Sequence, residues 1–326
     1  MDPIISNTLS KLEFGEMQVF NNMAVIPLFT SVDDSPEYFT LKEALERRLL
    51  VVTEISQSGS VPELKVVNKA DIPVLLLDGG ELAGAKQNRV LNTTILVKEN
   101  SETVIPVSCT EQGRWSYSSA EFFDSGHIMG SHLRARKASS VKRSLEVSNC
   151  YRGDQGAVWE EIECLGSMAN VHSSTGAMKD VFESKESDLK GYLGALPYVP
   201  HQNGIFVMLN GAATGFDVIS LASAYEIIHP KLVKSYAMDA VLSKSDKNDK
   251  PPVEKARSFL EEAARCEEKK FKSIGHGWDH RFEGKRVVGS CLVYEGKVIH
   301  LAFFKADPDE RIGRMSPASG RRRFRL

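Results

Sequence analysis

The chain has 326 residues, with 41 Lys and Arg against 43 Asp and Glu and a formal charge of −2. That balance excludes a global electrostatic pull toward nucleic acid or a membrane surface. Its 42% hydrophobic and 26% charged residues are the composition of a globular protein with ample length to bury a core.

No apolar run approaches the ~20 residues needed to span a bilayer. The start, MDPIISNTLSKLEF, has neither the basic nor the apolar region of a signal peptide. The five cysteines (Cys109, Cys150, Cys164, Cys266, Cys291) are odd in number and form no CxxC pair. A disulfide framework or zinc ribbon is therefore not expected, and a reducing, cytoplasmic setting is.

In chain order, Leu12–Phe20 and Met23–Phe29 read as strands joined at Asn21-Asn22, where two Asn tolerate the positive φ of a tight hairpin. Thr40-Leu-Lys-Glu43 has the form of a capping box opening a short helix over Leu41–Arg48. Leu49–Ile55, Leu64–Asn68 and Ile72–Leu77 return to strand, and Asp78-Gly79-Gly80 signals a hairpin turn. The following residues to Val97 read as a continuing strand with a bulge near Gly84. Lys86, Asn88, Val90 and Asn92 would then share one side, and Gln87, Arg89 and Leu91 the other.

Residues 116–153 change character. Between Ser125 and Arg152 there are six Lys or Arg and one carboxylate, Glu146. This is expected to be a mobile basic loop, 116–153, holding a short helix near Ser131–Val147, and it is the best internal boundary. From Asp154 the period turns helical: Val158, Ile162, Leu165 and Ala169 fall on one face, and a second helix begins near Met178. Gly204–Leu209 reads as a strand. Asp217 reads as the cap of a helix that Pro230 ends, Lys231–Leu242 as another helix, and Val253–Lys272 as an amphipathic one. Lys285–Tyr294 and Lys297–Phe304 flank Glu295-Gly296 as a closing hairpin, and 306–326 is expected to be a disordered basic tail.

The expected fold class is α+β: a β-rich N-terminal sheet with hairpins, packed against C-terminal helices and a final β-hairpin. One domain is expected over 1–305, β-rich over 1–115 and helical over 154–274, with the hairpin at 281–304.

Two polar clusters carry the functional reading. The first is Glu81, Lys86, Gln87, Asn88, Arg89 and Asn92, six functional groups in twelve residues between runs that look buried. Lys86 and Arg89 could grip phosphate, Arg bidentately, while Gln87, Asn88 and Asn92 both donate and accept, as sugar hydroxyls require. The second cluster is Cys109, Glu111, Gln112, Arg114 and Trp115. Trp115 could stack on a ring, and Glu81 or Glu111 could transfer a proton, as a carboxylate pair does in cleaving a glycosidic bond. Cys109 is a candidate nucleophile if a base such as His127 or His132 lies near, although cysteine is also often simply core. The structural alternative for the whole set is a hairpin whose polar groups satisfy one another. No metal is assigned: His276 and His280 are spaced i, i+4, but Gly275 and Gly277 argue against a helix there. No cofactor is named by the sequence.

GGELAGAKQNRVLNTTILV followed by IPVSCTEQGRW resembles the ARG and rhodanese-phosphatase-superfamily-associated (ARPP-type) domain family, most strongly over 45–115. The resemblance implies association with ADP-ribose and NAD-derived metabolism. The expectation is a protein that binds an ADP-ribose- or NAD-derived nucleotide, an anionic small molecule, with hydrolysis and non-catalytic sensing or scaffolding both open. Nucleic acid is not the expected partner, and a membrane is not expected to be one.

Overall fold

The computed structural model describes residues 1–30, 35–243 and 250–306. Among them the chain forms eight helices and eighteen strands in an α+β arrangement. No helix of the described residues is long and apolar enough to cross a membrane.

A nine-stranded antiparallel sheet joins the two ends of the chain. Its order is Glu13–Phe14, Met23–Phe29, Gly204–Leu209, Ala212–Ile219, Lys297–Lys305, Val287–Tyr294, Trp278–Glu283 and Glu267–Lys272, with Gln18–Phe20 also on Met23–Phe29. The expected hairpins are in place. Asn21 turns at φ 47° between the first pair, and Glu295-Gly296 turn at φ 49° and 72°, as a two-residue hairpin loop demands.

A six-stranded sheet runs Phe122–Ile128, Gly80–Gly84, Arg89–Leu91, Ser101–Cys109, Glu63–Asn68 and Leu50–Glu54. A small three-stranded sheet, Ile95–Val97, Val74–Leu76 and Phe39–Thr40, is continuous with it in sequence. The Thr40 capping box forms: its hydroxyl accepts from Glu43 N at 3.3 Å, while the Glu43 carboxylate accepts from Thr40 N at 2.9 Å. One large apolar cluster packs the helices over the faces of these sheets, with Phe182, Tyr225, Tyr236, Ile205 and Phe304 fully or almost fully buried.

Six expectations are corrected. Residues 81–97 are not one bulged strand, because Gly80–Gly84 and Arg89–Leu91 pair with each other and 85–88 is the turn between them. Accordingly Val74–Leu76 pairs with Ile95–Val97, and Asp78-Gly79-Gly80 is a corner between sheets, with Gly79 at φ 80°. The basic stretch is not a mobile loop: Ser131–Ser148 is an 18-residue helix with Arg134, Lys137 and Lys142 buried. Its charges are matched by carboxylates from distant elements, which a local charge count cannot see. Asp217 caps no helix but lies inside the strand Ala212–Ile219, paired with Arg134.

The helix Ala222–Leu242 runs through Pro230 without ending. Proline costs a helix one hydrogen bond, but Ile228, His229 and Leu232 on either side are all buried, so packing holds it. Helix Glu254–Ala264 stops short of the expected end, and Glu267–Lys272 pairs as an edge strand with Trp278–Glu283. There tertiary pairing overrides the helical preference of Glu and Lys. The expected tail, apart from Ala306, lies outside the described residues.

Candidate functional site

The two polar clusters meet at the 85–88 turn. Cys109 is the register partner of Arg89, so residues 110–115 run past the turn that carries Lys86, Gln87 and Asn88. The turn is tight: Gly84 adopts φ 115°, and a Cβ there would lie 2.9 Å from the Glu121 carbonyl oxygen. Only glycine fits without displacing that backbone.

Arg114 ties the two clusters together. Its Nε donates to Glu111 Oε1 at 2.9 Å, and Nη2 donates to Glu111 Oε2 at 2.6 Å and to Asn88 Oδ1 at 3.1 Å. Nη1 donates to the carbonyls of Ala85 at 2.6 Å and Ser116 at 3.0 Å. Glu111 also accepts from Asn88 N at 3.1 Å. Burial alone would raise the Glu111 carboxyl, but the bonds from Arg114 and Asn88 outweigh it and hold it below its usual range.

Several expected ligand contacts are likewise spent internally. Asn92 donates to the Tyr151 carbonyl at 3.0 Å and accepts from Ser108 at 2.8 Å. Gln87 accepts from Arg89 Nη1 at 3.0 Å and donates to the Gln112 carbonyl at 3.4 Å. Lys86 Nζ donates to the Ser58 carbonyl at 2.8 Å and sits 5.3 Å and 5.1 Å from the ring centres of Trp115 and Tyr117.

What remains unpaired is narrower than the sequence implied. Glu81 is fully buried; its Oε1 accepts from Thr110 Oγ1 at 2.7 Å, while Oε2 has no hydrogen-bond partner. Arg89, also fully buried, leaves Nε and Nη2 without partners. Glu54 is 6% exposed and leaves Oε2 free, with its Oε1 3.8 Å from Arg89 Nη2. A buried polar atom without a partner costs about 1–3 kcal/mol; Glu54 and Arg89 bear that cost together on one face of the strand pair, and Glu81, in register with Val90, bears it on the other. Burial pushes the Glu81 carboxyl up to about 7, against the pull of the bonded Thr110 hydroxyl and of the Ser125 hydroxyl, which stands near without meeting hydrogen-bond geometry. Trp115 and Tyr117, both about half exposed, form an aromatic rim, and the Arg89 guanidinium carbon lies 5.6 Å from the Trp115 ring centre.

Glu54 is the member that sequence reasoning missed. The signal was present: in LVVTE the inward positions are Leu50, Val52 and Glu54, so a carboxylate stands where the alternation puts an apolar residue. Cys109 is buried and its thiol is pushed up by burial, with Sγ 3.9 Å from the Val61 carbonyl. A nucleophilic cysteine needs the opposite shift. His127 instead packs on Phe182 and His132 pairs with Glu161.

A second charged group, unanticipated, ties the sheets together in the interior. Arg134 binds Asp217, Lys137 Nζ donates to Asp78 at 2.5 Å, and Asp217 also accepts from Tyr236 at 2.8 Å and faces His300 Nε2 at 3.1 Å. His300 Nδ1 in turn meets Thr94 Oγ1 at 2.8 Å. These groups are buried and paired with one another; only Arg134 Nε lacks a hydrogen bond, 3.8 Å from Asp78.

Among the described residues, Asp2, Glu268 and His280 bring possible metal-ligating atoms within 4.8 Å of one another. Glu268 there already accepts from Asp2 N and faces His280 Nδ1, each at 2.5 Å. His276 and His280 are not a joint site: His276 binds Glu99 at 2.8 Å and stacks on Tyr294. An open groove of about 1050 Å³ lies elsewhere, with Leu133, Leu165, Met168, Met178, Arg286 and Lys305 in its lining.

No curated protein and no solved structure matches the chain. The family model for the ARG and Rhodanese-Phosphatase-superfamily-associated Protein domain (ARPP-1) matches residues 11–304, and the chain belongs to that family.

Proposed function

We propose that Glu54 and Arg89, beneath the Trp115–Tyr117 rim, bind an ADP-ribose- or NAD-derived nucleotide, and that Glu81, on the opposite face of the same pair of strands, serves its hydrolysis. The observation that carries this reading is the set of unpartnered, buried atoms on Glu54 and Arg89, whose charged groups lie 3.8 Å apart, with a further unpartnered carboxylate oxygen on Glu81 across the same pair of strands. A ligand with hydroxyl and anionic groups would satisfy them: Arg89 donates to an anionic oxygen, and Glu54 accepts from a hydroxyl. Trp115 stacks on the base or ring, with Lys86 at the rim. Glu111, Arg114, Gln87, Asn88 and Asn92 hold the frame.

Glu81, with its carboxyl pushed up to about 7, holds its proton near neutral pH and is the general acid. It gives that proton to the leaving group as the glycosidic bond breaks. Water adds at the anomeric carbon, and one of its protons returns to Glu81.

A second reading, binding without turnover, is favoured by the engagement of Glu111 with Arg114, which takes one carboxylate of the expected Glu81–Glu111 pair out of play. The two separate on Glu81→Gln. Thermal shift with ADP-ribose, NAD and AMP tests binding first, since a ligand at 100 times its dissociation constant adds about 2.7 kcal/mol of stability. Hydrolysis requires wild-type turnover that Glu81→Gln abolishes with binding retained. Binding with no wild-type turnover selects the sensor. No binding of any of these ligands sinks both.

A further inference from the structure

On the far side of Glu81 from Trp115, three elements converge on His127. The strand Phe122–Ile128 breaks its pairing with Gly80–Gly84 between Asp124 and Ile128, so residues 125–127 leave the ladder. The helices Met178–Ser184 and Ala222–Leu242 pack on that strand and bring Lys179, Lys231 and Lys234 to bear on the imidazole. His127 is 9% exposed, its ring lies 4.9 Å from that of Phe182, and its Nδ1 is buried with no hydrogen-bond partner.

The charges around this ring do not cancel. Lys231 is paired with Asp124, and Lys179 lies 3.1 Å from Glu183 on its own helix. Lys234 has no ion pair or hydrogen bond among the described residues. Lys179 also acts on Glu81, which places this cluster beside the proposed acid. Beside the ring, a Cβ built on Gly126 would meet nothing within 4 Å, so the bulge borders open space.

We propose that His127, Lys179, Lys231 and Lys234 form a phosphate subsite that takes a phosphomonoester group of the bound ligand. His127 Nδ1 donates to one oxygen and the ammonium of Lys234 to another. Lys179 and Lys231 supply field and, once the anion arrives, share it with their carboxylates. Burial and the three ammonium groups depress the imidazole to about 4, so it is the neutral ring, carrying its proton on Nδ1, that would meet the anion. That this subsite serves the same ligand as the Trp115 rim rests on the reading above; that it binds phosphate does not.

The test uses the full chain and inorganic phosphate as the probe, followed by the His127 ring signals in NMR as pH is varied, with Lys234→Gln and Trp115→Ala as variants. Lys234 is only half-buried and unpaired, so Lys234→Gln leaves the fold intact. The expected result is saturable phosphate binding that raises the His127 titration, weakens about tenfold in Lys234→Gln and is unchanged in Trp115→Ala. A His127 titration indifferent to phosphate, or equal affinity in Lys234→Gln, overturns the subsite.

ADP-ribose binding in the same variants keeps the two claims apart. Loss of ADP-ribose affinity in Trp115→Ala alongside a phosphate-blind His127 overturns the subsite and leaves the rim. Phosphate binding that depends on Lys234, with no binding of any nucleotide, supports the subsite and overturns the rim.

Discussion

Arg134 meets Asp217 side by side in the interior: Nη1 lies 3.0 Å from one carboxylate oxygen and Nη2 2.6 Å from the other, and neither residue has exposed surface. The pair joins the helix Ser131–Ser148 to the nine-stranded sheet. Breaking a buried pair by removing one charge costs about 3–5 kcal/mol, because the other is left uncompensated. Asp217→Asn is therefore expected to lower unfolding stability by several kcal/mol in urea titration. The double change Arg134→Met with Asp217→Leu should recover much of that loss. A double variant no more stable than Asp217→Asn would contradict the account.

The same pair predicts acid sensitivity. Burial would raise the Asp217 carboxyl, but Arg134 and His300 outweigh it and hold it far below its usual range. A depressed folded value contributes stability that is present above the unfolded value of about 3.9 and is lost as pH falls toward the folded one. Wild-type stability should therefore fall below about pH 4 more steeply than that of Asp217→Asn. Parallel curves for the two proteins would remove Asp217 from the explanation.

Glu81 titrates with the opposite sign. Its folded value, about 7, lies above the ordinary 4.5, so its contribution is full in acid and declines as pH rises between those values. Glu81→Gln cannot ionise, so its stability relative to wild type should improve steadily from pH 4.5 to pH 7 and then level off. In the catalytic reading, turnover falls above pH 7 as the acid is lost. A stability difference flat across this window would show that Glu81 is not held protonated by its surroundings.

How much of this was legible follows from where each partner sits in the sequence. The turns at Asn21-Asn22 and Glu295-Gly296 and the Thr40 box are local chemistry, and they formed where local rules put them. The meeting of the 85–88 turn with residues 109–115 was also within reach, since short strands bring them together. Glu54 was half visible, as a carboxylate on the inward side of an alternating strand. The Arg134–Asp217 and Lys137–Asp78 pairs join residues 83 and 59 apart, so one partner read as a mobile basic loop and the other as a helix cap or a turn. A buried charge looks like a surface charge until its counter-charge is placed.

Trp115 offers the cleanest separation of ligand from fold. It is 47% exposed, and its ring faces Lys86 and Arg89 rather than the apolar core. Trp115→Ala should leave the melting temperature of the free protein within a degree or two. Loss of aromatic stacking on a base costs about 1–3 kcal/mol, so calorimetry should show nucleotide affinity falling roughly tenfold to a hundredfold. An unchanged affinity would move the nucleotide ring away from this rim.

Arg114 tests whether the frame, rather than the ligand, claims the second polar cluster. Its guanidinium serves Glu111, Asn88 and the Ala85 and Ser116 carbonyls at once, which uses the planar fork that lysine lacks. Arg114→Lys keeps the charge but not the geometry. Hydrogen bonds to charged groups are worth about 1.5–3 kcal/mol each, so losing one or two should speed local opening of the turn at least tenfold. Hydrogen exchange of the peptide spanning residues 81–92 reads this directly, and the interior around Asp217 should keep its protection. Should Arg114→Lys exchange like wild type in that peptide, the guanidinium would not be what holds the turn, and Glu111 would return as a group free to meet a ligand.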